Sequence, residues 1–106
     1  MKYFFLNLLL FPFVFYCQYT SIPDPVFENV LINYYALDTI QDGQVLTSNI
    51  SGVQYLDVSD FGISNLTGIE DFTSLEYLDC YSNMLTNLDI SNCLNLVWLL
   101  FLLYRA

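Results

Sequence analysis

Apolar residues recur at a fixed spacing along residues 53–95, and this repeat is the strongest pattern in the sequence. In the first copy the apolar columns are Val53, Leu56, Val58, Ile63, Leu66, Ile69 and Phe72. In the second copy the apolar columns are Leu75, Leu78, Cys80, Leu85, Leu88, Ile90 and Cys93. The first five lie at one constant interval from their counterparts in the first copy, and the last two lie at an interval one residue shorter. Most positions between the columns are polar, so the pattern indicates a structural repeat.

Within each copy, the spacing of the columns predicts one short strand. Side chains alternate along a strand, so Leu78 and Cys80 face one side and Tyr77 and Asp79 face the other. A single copy cannot bury its inward row alone, whereas stacked copies bury each row against the next. A third copy starts with the column residues Leu96, Leu99 and Phe101. The sequence therefore predicts short parallel strands stacked in coils of roughly 21–22 residues.

The second copy, LEYLDCYSNMLTNLDISNCLN, resembles the LxxLxCxxNxLxxLDLSxxxx unit of bacterial secreted leucine-rich-repeat proteins. The resemblance implies an α/β leucine-rich-repeat solenoid in which Asn83 is the ladder asparagine. Its side-chain amide would supply both the donor and the acceptor that the bend after the strand requires. The first copy has Phe61 at the matching position, so we expect Asp60 and Gly62 to close that bend.

The segment before the repeats predicts an amphipathic helix. Asp24 is suited to cap it, with Pro25 at its first position. Apolar residues lie on one face at spacings of three and four: Phe27, Val30, Leu31 and Tyr34. The segment also resembles the IPDxxFExxLI opening that precedes the repeats in the same family, which implies an N-terminal helical cap. The resemblance covers residues 21–99.

Six segments make up the predicted organisation of the chain. They are a signal peptide (1–17), an N-terminal cap with the amphipathic helix (18–44), a half-coil (45–52), a first repeat (53–74), a second repeat (75–95) and a partial third repeat with an aberrant hydrophobic tail (96–106). The tail replaces the family's polar pattern with nine apolar residues, 96–104, and we expect it to mark a truncated or frame-shifted fragment of a longer protein. The alternative is a short protein whose tail docks on a membrane or a partner.

The first seventeen residues have the layout of a secretory signal peptide, with Lys2 before an almost unbroken apolar stretch. Export implies a secreted or cell-surface protein. A membrane anchor is the alternative, although the stretch is shorter than the roughly 20 apolar residues that span a bilayer. A lipid on Cys17 is a third possibility, but Tyr16 stands where lipoprotein signals have a small residue.

The composition limits the classes of function that we expect of the chain. The chain has 2 basic and 11 acidic residues and a net charge of -9, which disfavours nucleic acid because phosphate binding needs clustered Lys and Arg. It has no histidine, no GxSxG elbow and no phosphate loop, so we expect no enzyme and no cofactor. The expected function is a module that binds a protein or a glycan. The alternative is a purely structural N-terminal cap of a larger adhesin or enzyme.

The outward face of the strands is the candidate binding surface, and it is the concave face of the predicted solenoid. One row holds Tyr55, Tyr77 and Trp98, and the next holds Asp57 and Asp79. Neighbouring strands lie about 4.8 Å apart, so the aromatic rings can stack and present a flat surface to a ligand, or they merely stabilise the sheet. The stacked aspartates repel each other, and either a cation, a basic partner residue or solvent would relieve that cost.

Two further groups are expected to be structural. Cys80 and Cys93 lie in inward columns and are predicted to be small buried hydrophobic residues, with a disulfide as the alternative. In LDTIQDGQV, Asp38, Asp42 and Gly43 match three positions of a calcium loop, but the third and twelfth positions lack their ligands. A turn closed by Asp42 and Gly43 is therefore expected, and no metal site.

Overall fold

The structure, a computed structural model, describes residues 18–104. The predicted signal peptide, with Cys17, lies outside the described residues. The elements in chain order are strand β1 (Tyr19–Ser21), helix α1 (Pro25–Asn33), strand β2 (Gln44–Leu46), the short helix α2 (Thr47–Ile50), strand β3 (Tyr55–Asp57), a 3₁₀ turn (Ile69–Asp71), and strands β4 (Tyr77–Asp79) and β5 (Trp98–Leu100).

Each copy of the repeat contributes one strand to a parallel sheet. Strands β3, β4 and β5 pair in that order, and the register aligns Leu56 with Leu78 and Leu78 with Leu99. The intervals between these paired leucines are the intervals of the sequence repeat. The spacing of apolar columns therefore sets the register, because a slip by one residue would turn every inward side chain to the opposite face.

The inward columns of the first two repeats form most of the core, and apolar residues of the segment before them complete it. The buried column residues are Leu56, Val58, Ile63, Leu66, Ile69, Phe72, Leu75, Leu78, Cys80, Leu85 and Cys93. Burying one leucine side chain contributes roughly 1.5–3 kcal/mol, so the stacked rows are the main source of stability. The remaining column residues, Val53, Leu88 and Ile90, pack against this core but stay partly exposed.

The bend after β4 is held by the side chain of Asn83. Its Oδ1 accepts hydrogen bonds from the backbone N–H groups of Phe61, at 3.1 Å, and Ile63, at 3.0 Å. Its Nδ2 donates to the carbonyl oxygens of Val58, at 2.8 Å, and Cys80, at 3.1 Å. Three of the four partners belong to the first repeat, so one asparagine serves the bends of two neighbouring repeats.

The first bend, which has no asparagine of its own, uses left-handed backbone. Asp60 and Gly62 have φ angles of 62° and 75°. This conformation turns the N–H groups of Phe61 and Ile63 toward Asn83 of the next repeat. The bend is therefore closed by the two expected residues together with a side chain of the neighbouring repeat.

Helix α1 begins at Asp24, whose carboxylate also ties the helix to the first repeat. Oδ1 accepts from the N–H of Val26 at 2.8 Å and from that of Phe27 at 3.3 Å. Oδ2 accepts from the N–H groups of Ser64 and Asn65, at 2.8 and 2.9 Å. Because one carboxylate caps the helix and binds a loop 40 residues away, the position of α1 against the repeats is fixed at its first turn.

Three of the four residues on the predicted apolar face of α1 are buried, but Tyr34 is not. Phe27, Val30 and Leu31 lie in the core, whereas Tyr34 is 67% exposed. Tyr34 is the residue after the last turn of the helix, and its ring packs edge-on against Phe61 with centroids 4.9 Å apart. The helical spacing therefore stops predicting the direction of side chains where the helix ends.

An antiparallel pair, β1 and β2, packs beside the first repeat. The Thr20 hydroxyl donates to Asp71 Oδ2 at 2.7 Å, which joins β1 to the 3₁₀ turn. Gly68 lies under β1 with φ 110°, and a Cβ there would be 2.3 Å from Ile22 Cδ1 and 2.8 Å from the carbonyl oxygen of Ser21. The close contact and the left-handed backbone both require glycine at this position.

The third repeat is more exposed than the first two. Leu96 and Leu99 are partly buried, but Phe101, predicted to lie in an inward column, is 44% exposed because no part of the described chain packs beyond β5. Other exposed apolar residues here are Leu94, Val97, Trp98, Leu100, Leu102, Leu103 and Tyr104. Among residues 18–104, no helix has the length and apolar character needed to cross a membrane.

Candidate functional site

The aromatic row of the strand face is in register across all three repeat strands. Tyr55 pairs with Tyr77, and Tyr77 with Trp98. The two tyrosine rings stack with centroids 4.4 Å apart and planes 10° apart, and Tyr77 and Trp98 are 6.4 Å and 5° apart. The close Tyr55–Tyr77 stack covers one face of each ring, whereas Tyr77 and Trp98 are parallel but farther apart. The row therefore presents ring edges along its length and free ring faces at its two ends.

The acidic row lies beside the aromatic row. Asp57 and Asp79 are paired in register, and each carboxylate binds the loop that follows its own strand. Asp57 Oδ1 accepts from the N–H and hydroxyl of Ser59, at 3.0 and 2.6 Å, and Asp79 Oδ1 accepts from the N–H of Tyr81 at 3.0 Å. The second oxygen of each carboxylate accepts no hydrogen bond from residues 18–104, and this part of the sequence contains no Lys, Arg or His.

The electrostatics of the face favour protonated phenols and basic ligands. Desolvation raises the pKa of Tyr77, and the neighbouring Tyr55 hydroxyl and the charges of Asp79 and Asp57 raise it further. The Tyr77 hydroxyl therefore remains a hydrogen-bond donor at neutral pH. The face carries two carboxylates, and residues 18–104 contain no Lys, Arg or His, so the described part of the chain gives the face a negative potential that attracts cations.

The outer edge of the sheet is closed by Tyr35, which follows helix α1. Its hydroxyl accepts from the backbone N–H of Asp57 and donates to the backbone carbonyl of the same residue, both at 2.8 Å. Burial raises the pKa of Tyr35, so the donor proton is retained. The hydroxyl occupies the edge positions that a further strand would use. No local signal in the sequence singles out Tyr35 for this contact, which joins the end of α1 to a strand of the first repeat.

A cavity of about 460 Å³ opens at this end of the strand face. Its walls are Tyr34, Tyr35, Tyr55, Asp57, Ser59 and Phe61. The structure thus brings two residues of the predicted binding face together with three aromatic residues that the sequence analysis did not assign to it. Tyr77, Asp79 and Trp98 lie farther along the face, outside the cavity.

A second acidic group surrounds the turn before β2. Glu28, which is 1% exposed, accepts from the N–H groups of Gly43 at 2.9 Å and Asp42 at 3.1 Å. Asp38 and Asp42 each place a carboxylate oxygen within 4.8 Å of the others in this group. Burial raises the pKa of Glu28, the two N–H donors lower it, and Asp38 raises it.

The geometry of this group explains how the turn is closed. Gly43 has φ 82°, and Asp42 Oδ1 accepts from the N–H of Gln44 at 3.3 Å. Glu28 holds the same turn from α1, and the sequence of the turn does not predict this contact because Glu28 lies 14 and 15 residues before the two N–H groups that it binds. The absence of a metal site remains a prediction.

Cys80 and Cys93 are free thiols buried in the core. Cys80 Sγ lies 3.5 Å from the carbonyl oxygen of Leu100, and Cys93 Sγ lies 3.5 Å from that of Ile69. Burial raises the pKa of Cys80 to about 11 and also raises the pKa of Cys93. Both residues therefore pack as small side chains with weak S–H donors.

Solved structures provide the comparison with known proteins. The functional domain of InlJ from Listeria monocytogenes, which includes a cysteine ladder, is 30% identical, with a TM-score of 0.63 over 74% of this chain. The internalin InlF from Listeria monocytogenes is 24% identical, with a TM-score of 0.67 over 76%. The structure of the CBM51-2 and INT domains of Clostridium perfringens ZmpB is also 24% identical, with a TM-score of 0.65 over 81%.

The matched structures are much longer than this chain, which covers 18%, 24% and 18% of them respectively. No protein-family model matches the sequence, and no curated protein does. The stacked strands and buried leucine columns thus have a leucine-rich-repeat-like fold. The structural neighbours of the chain include the Listeria internalins, which are leucine-rich-repeat proteins, and this confirms the resemblance that the sequence indicates.

Proposed function

We propose that the strand face is the surface with which a secreted or cell-surface leucine-rich-repeat protein binds a protein partner. The observation that carries the proposal is the alignment of Tyr55, Tyr77 and Trp98 beside Asp57 and Asp79. Tyr55 and Trp98 are each 55% exposed although both are aromatic. Exposed aromatic side chains that are fixed by stacking supply contact area at low entropic cost, as protein interfaces require.

A protein fits this surface better than a glycan. Sugar rings stack on the flat faces of aromatic side chains, but here the close stack of Tyr55 on Tyr77 covers one face of each ring, and the parallel Trp98 ring flanks the other face of Tyr77. The surface instead offers ring edges, phenol hydroxyls and carboxylate acceptors to a partner with basic side chains. We assign it no catalytic role, because residues 18–104 contain no His or Lys to act as a general base, and Asp57 and Asp79 each bind the loop after their own strand.

The proposed organisation follows the sequence repeat. Residues 18–44 would be the N-terminal helical cap, residues 45–52 the half-coil, and residues 53–74, 75–95 and 96–106 the successive coils of a solenoid. Residues 1–17 would be a signal peptide that directs export. The Asp24 and Tyr35 contacts support a capping role, since they join the α1 segment to the first repeat and close the edge of its strand.

A purely architectural role is the second candidate. The chain covers only 18–24% of three matched structures, so it would then be the cap and first coils of a larger adhesin or enzyme whose active part lies elsewhere. On this alternative the aromatic row stabilises cross-strand packing and binds nothing.

Binding arrays with strand-face variants distinguish the two roles. The full chain would be labelled and applied to arrays of immobilised extracellular protein domains and of glycans, beside the double variant Tyr55→Ser/Tyr77→Ser. Tyr81→Ala, which removes an exposed tyrosine outside the row, is the matched control. We expect protein hits that the double variant loses and the control keeps, with circular dichroism showing that all three are folded. Hits that survive in the double variant, or no protein hit at all, would favour the architectural role.

A further inference from the structure

The cavity at the end of the strand face is walled by four aromatic rings. Tyr34 and Phe61 meet edge to face, with centroids 4.9 Å apart and planes 72° apart. Tyr55 stacks on Tyr77 with one face, which leaves its other face for the cavity. The ring of Tyr35 is held in place by its two hydrogen bonds to the Asp57 backbone. Aromatic faces in different planes around one space are the arrangement that attracts an organic cation.

One carboxylate lies in the same wall. Asp57 uses Oδ1 for Ser59, and its Oδ2 accepts no hydrogen bond from the described residues. Asp79, in the next strand, adds negative charge nearby. The lining contains no basic group, and no Lys, Arg or His from residues 18–104 competes for this site.

The size of the cavity suits a side chain or a small ligand. A volume of about 460 Å³ lies within the range of roughly 300–1,000 Å³ that is usual for ligand pockets. The cavity is open and continuous with the aromatic row through Tyr55. A group entering it can therefore be attached to a larger molecule that lies on the strand face.

We propose that this aromatic cavity binds an alkylammonium group, supplied by a lysine side chain of the partner protein. The ammonium contacts the faces of Tyr34, Tyr55 and Phe61 and pairs with Asp57 Oδ2, while its alkyl stem fills the apolar space. The identification of the partner as a protein rests on the proposed function above, but the affinity of the cavity for the cation does not. A free quaternary ammonium compound offers the same chemistry, so the test includes both sources.

Titration with small probes tests the cavity directly. The full chain would be titrated with Nα-acetyl-lysine methylamide, its trimethyllysine analogue, choline and 3,3-dimethylbutanol, the neutral isostere of choline, while NMR follows the tyrosine ring resonances. We expect saturable shifts of Tyr34 and Tyr55 with the three cations. The neutral isostere should bind at least about fivefold more weakly, because it lacks the cation–π and charge terms. If the lysine compounds bind and choline does not, the site selects a side chain; the reverse result would overturn the lysine assignment.

Paired variants separate a real site from a general effect of negative charge. Asp57→Asn and Tyr55→Ala should each weaken binding of the cations about fivefold. Asp79→Asn, which removes the same charge one strand away and outside the cavity lining, should weaken binding by less than Asp57→Asn does, because its charge lies farther from the bound cation. Tyr81→Ala should change binding less than about twofold. Equal binding of the neutral isostere, or equal losses in Asp57→Asn and Asp79→Asn, would overturn the proposal. Because small probes occupy only the cavity, such a failure would leave array binding by the rest of the strand face intact, and the two results are distinguishable.

Discussion

Replacing Asn83 with alanine tests how neighbouring repeats are held together. The side chain serves four backbone groups: the N–H groups of Phe61 and Ile63 and the carbonyls of Val58 and Cys80. Alanine removes both donor and acceptor, and no side chain at position 61 can replace them, since phenylalanine stands there. All four groups would lose their partner at once.

The expected loss is large relative to the stability of a small domain. A buried backbone group left without a partner costs about 1–3 kcal/mol. Asn83 is half-buried, so water replaces some of the lost partners, and we expect a total loss of about 3–5 kcal/mol. The free energy of unfolding of a small domain is about 5–15 kcal/mol, so the variant should lie close to its unfolding transition at room temperature.

Urea unfolding followed by circular dichroism measures this loss. Asn92→Ala, at an exposed position of the same repeat, is the matched control and should change the free energy of unfolding by less than about 0.5 kcal/mol. Asn83→Asp keeps the acceptor but places a carboxylate oxygen against two carbonyls, so it should also destabilise the fold. A loss below about 1 kcal/mol in Asn83→Ala would refute the reasoning, because the four bonds would then contribute no more than a single typical one.

Three further predictions concern the first repeat and the core. Gly68→Ala should cost about 2 kcal/mol or more in urea unfolding, because its Cβ would lie 2.3 Å from Ile22 Cδ1 at a φ of 110°; an unchanged midpoint would contradict this. Tyr35→Phe should cost about 1–2 kcal/mol and speed amide exchange at Asp57, whose N–H loses its acceptor; unchanged exchange would exclude the edge contact. With a pKa of about 11, the Cys80 thiol is only about 0.1% ionised at pH 8. Iodoacetamide should therefore modify it slowly at pH 8 and faster as the pH rises, as measured by mass spectrometry. Rapid modification of the folded chain at pH 8 would show that the thiol is not buried.

Features with a local cause could be predicted from the sequence. The inward columns followed from a spacing that any stacked repeat must keep, and the structure buries all of them in the first two repeats except Val53, Leu88 and Ile90, which are partly exposed. The start of helix α1 followed from Asp24 and Pro25, which act within one turn. The alignment of Tyr55, Tyr77 and Trp98 followed from the repeat offset, because parallel strands in register place equivalent residues side by side.

Features that depend on how segments remote in sequence pack together could not be predicted from the sequence. The repeat offset predicted the aromatic row, but the orientation of each ring depends on its side-chain torsions. The offset therefore could not predict that the Tyr55 and Tyr77 rings cover each other's faces. The β1–β2 pair consists of two very short strands, which leave no periodic pattern.

The sequence by itself thus determined the repeat, its strand register and its buried rows, since these follow from regular spacing along the chain. The tertiary structure alone decided that Tyr35 closes the edge at Asp57, that Glu28 holds the turn at Gly43 and that Tyr34 and Phe61 meet beside Tyr55. These contacts join well-separated parts of the chain through pairs of hydrogen bonds or ring contacts. Such contacts impose no periodicity on the sequence, so they become visible only when the folded segments lie side by side.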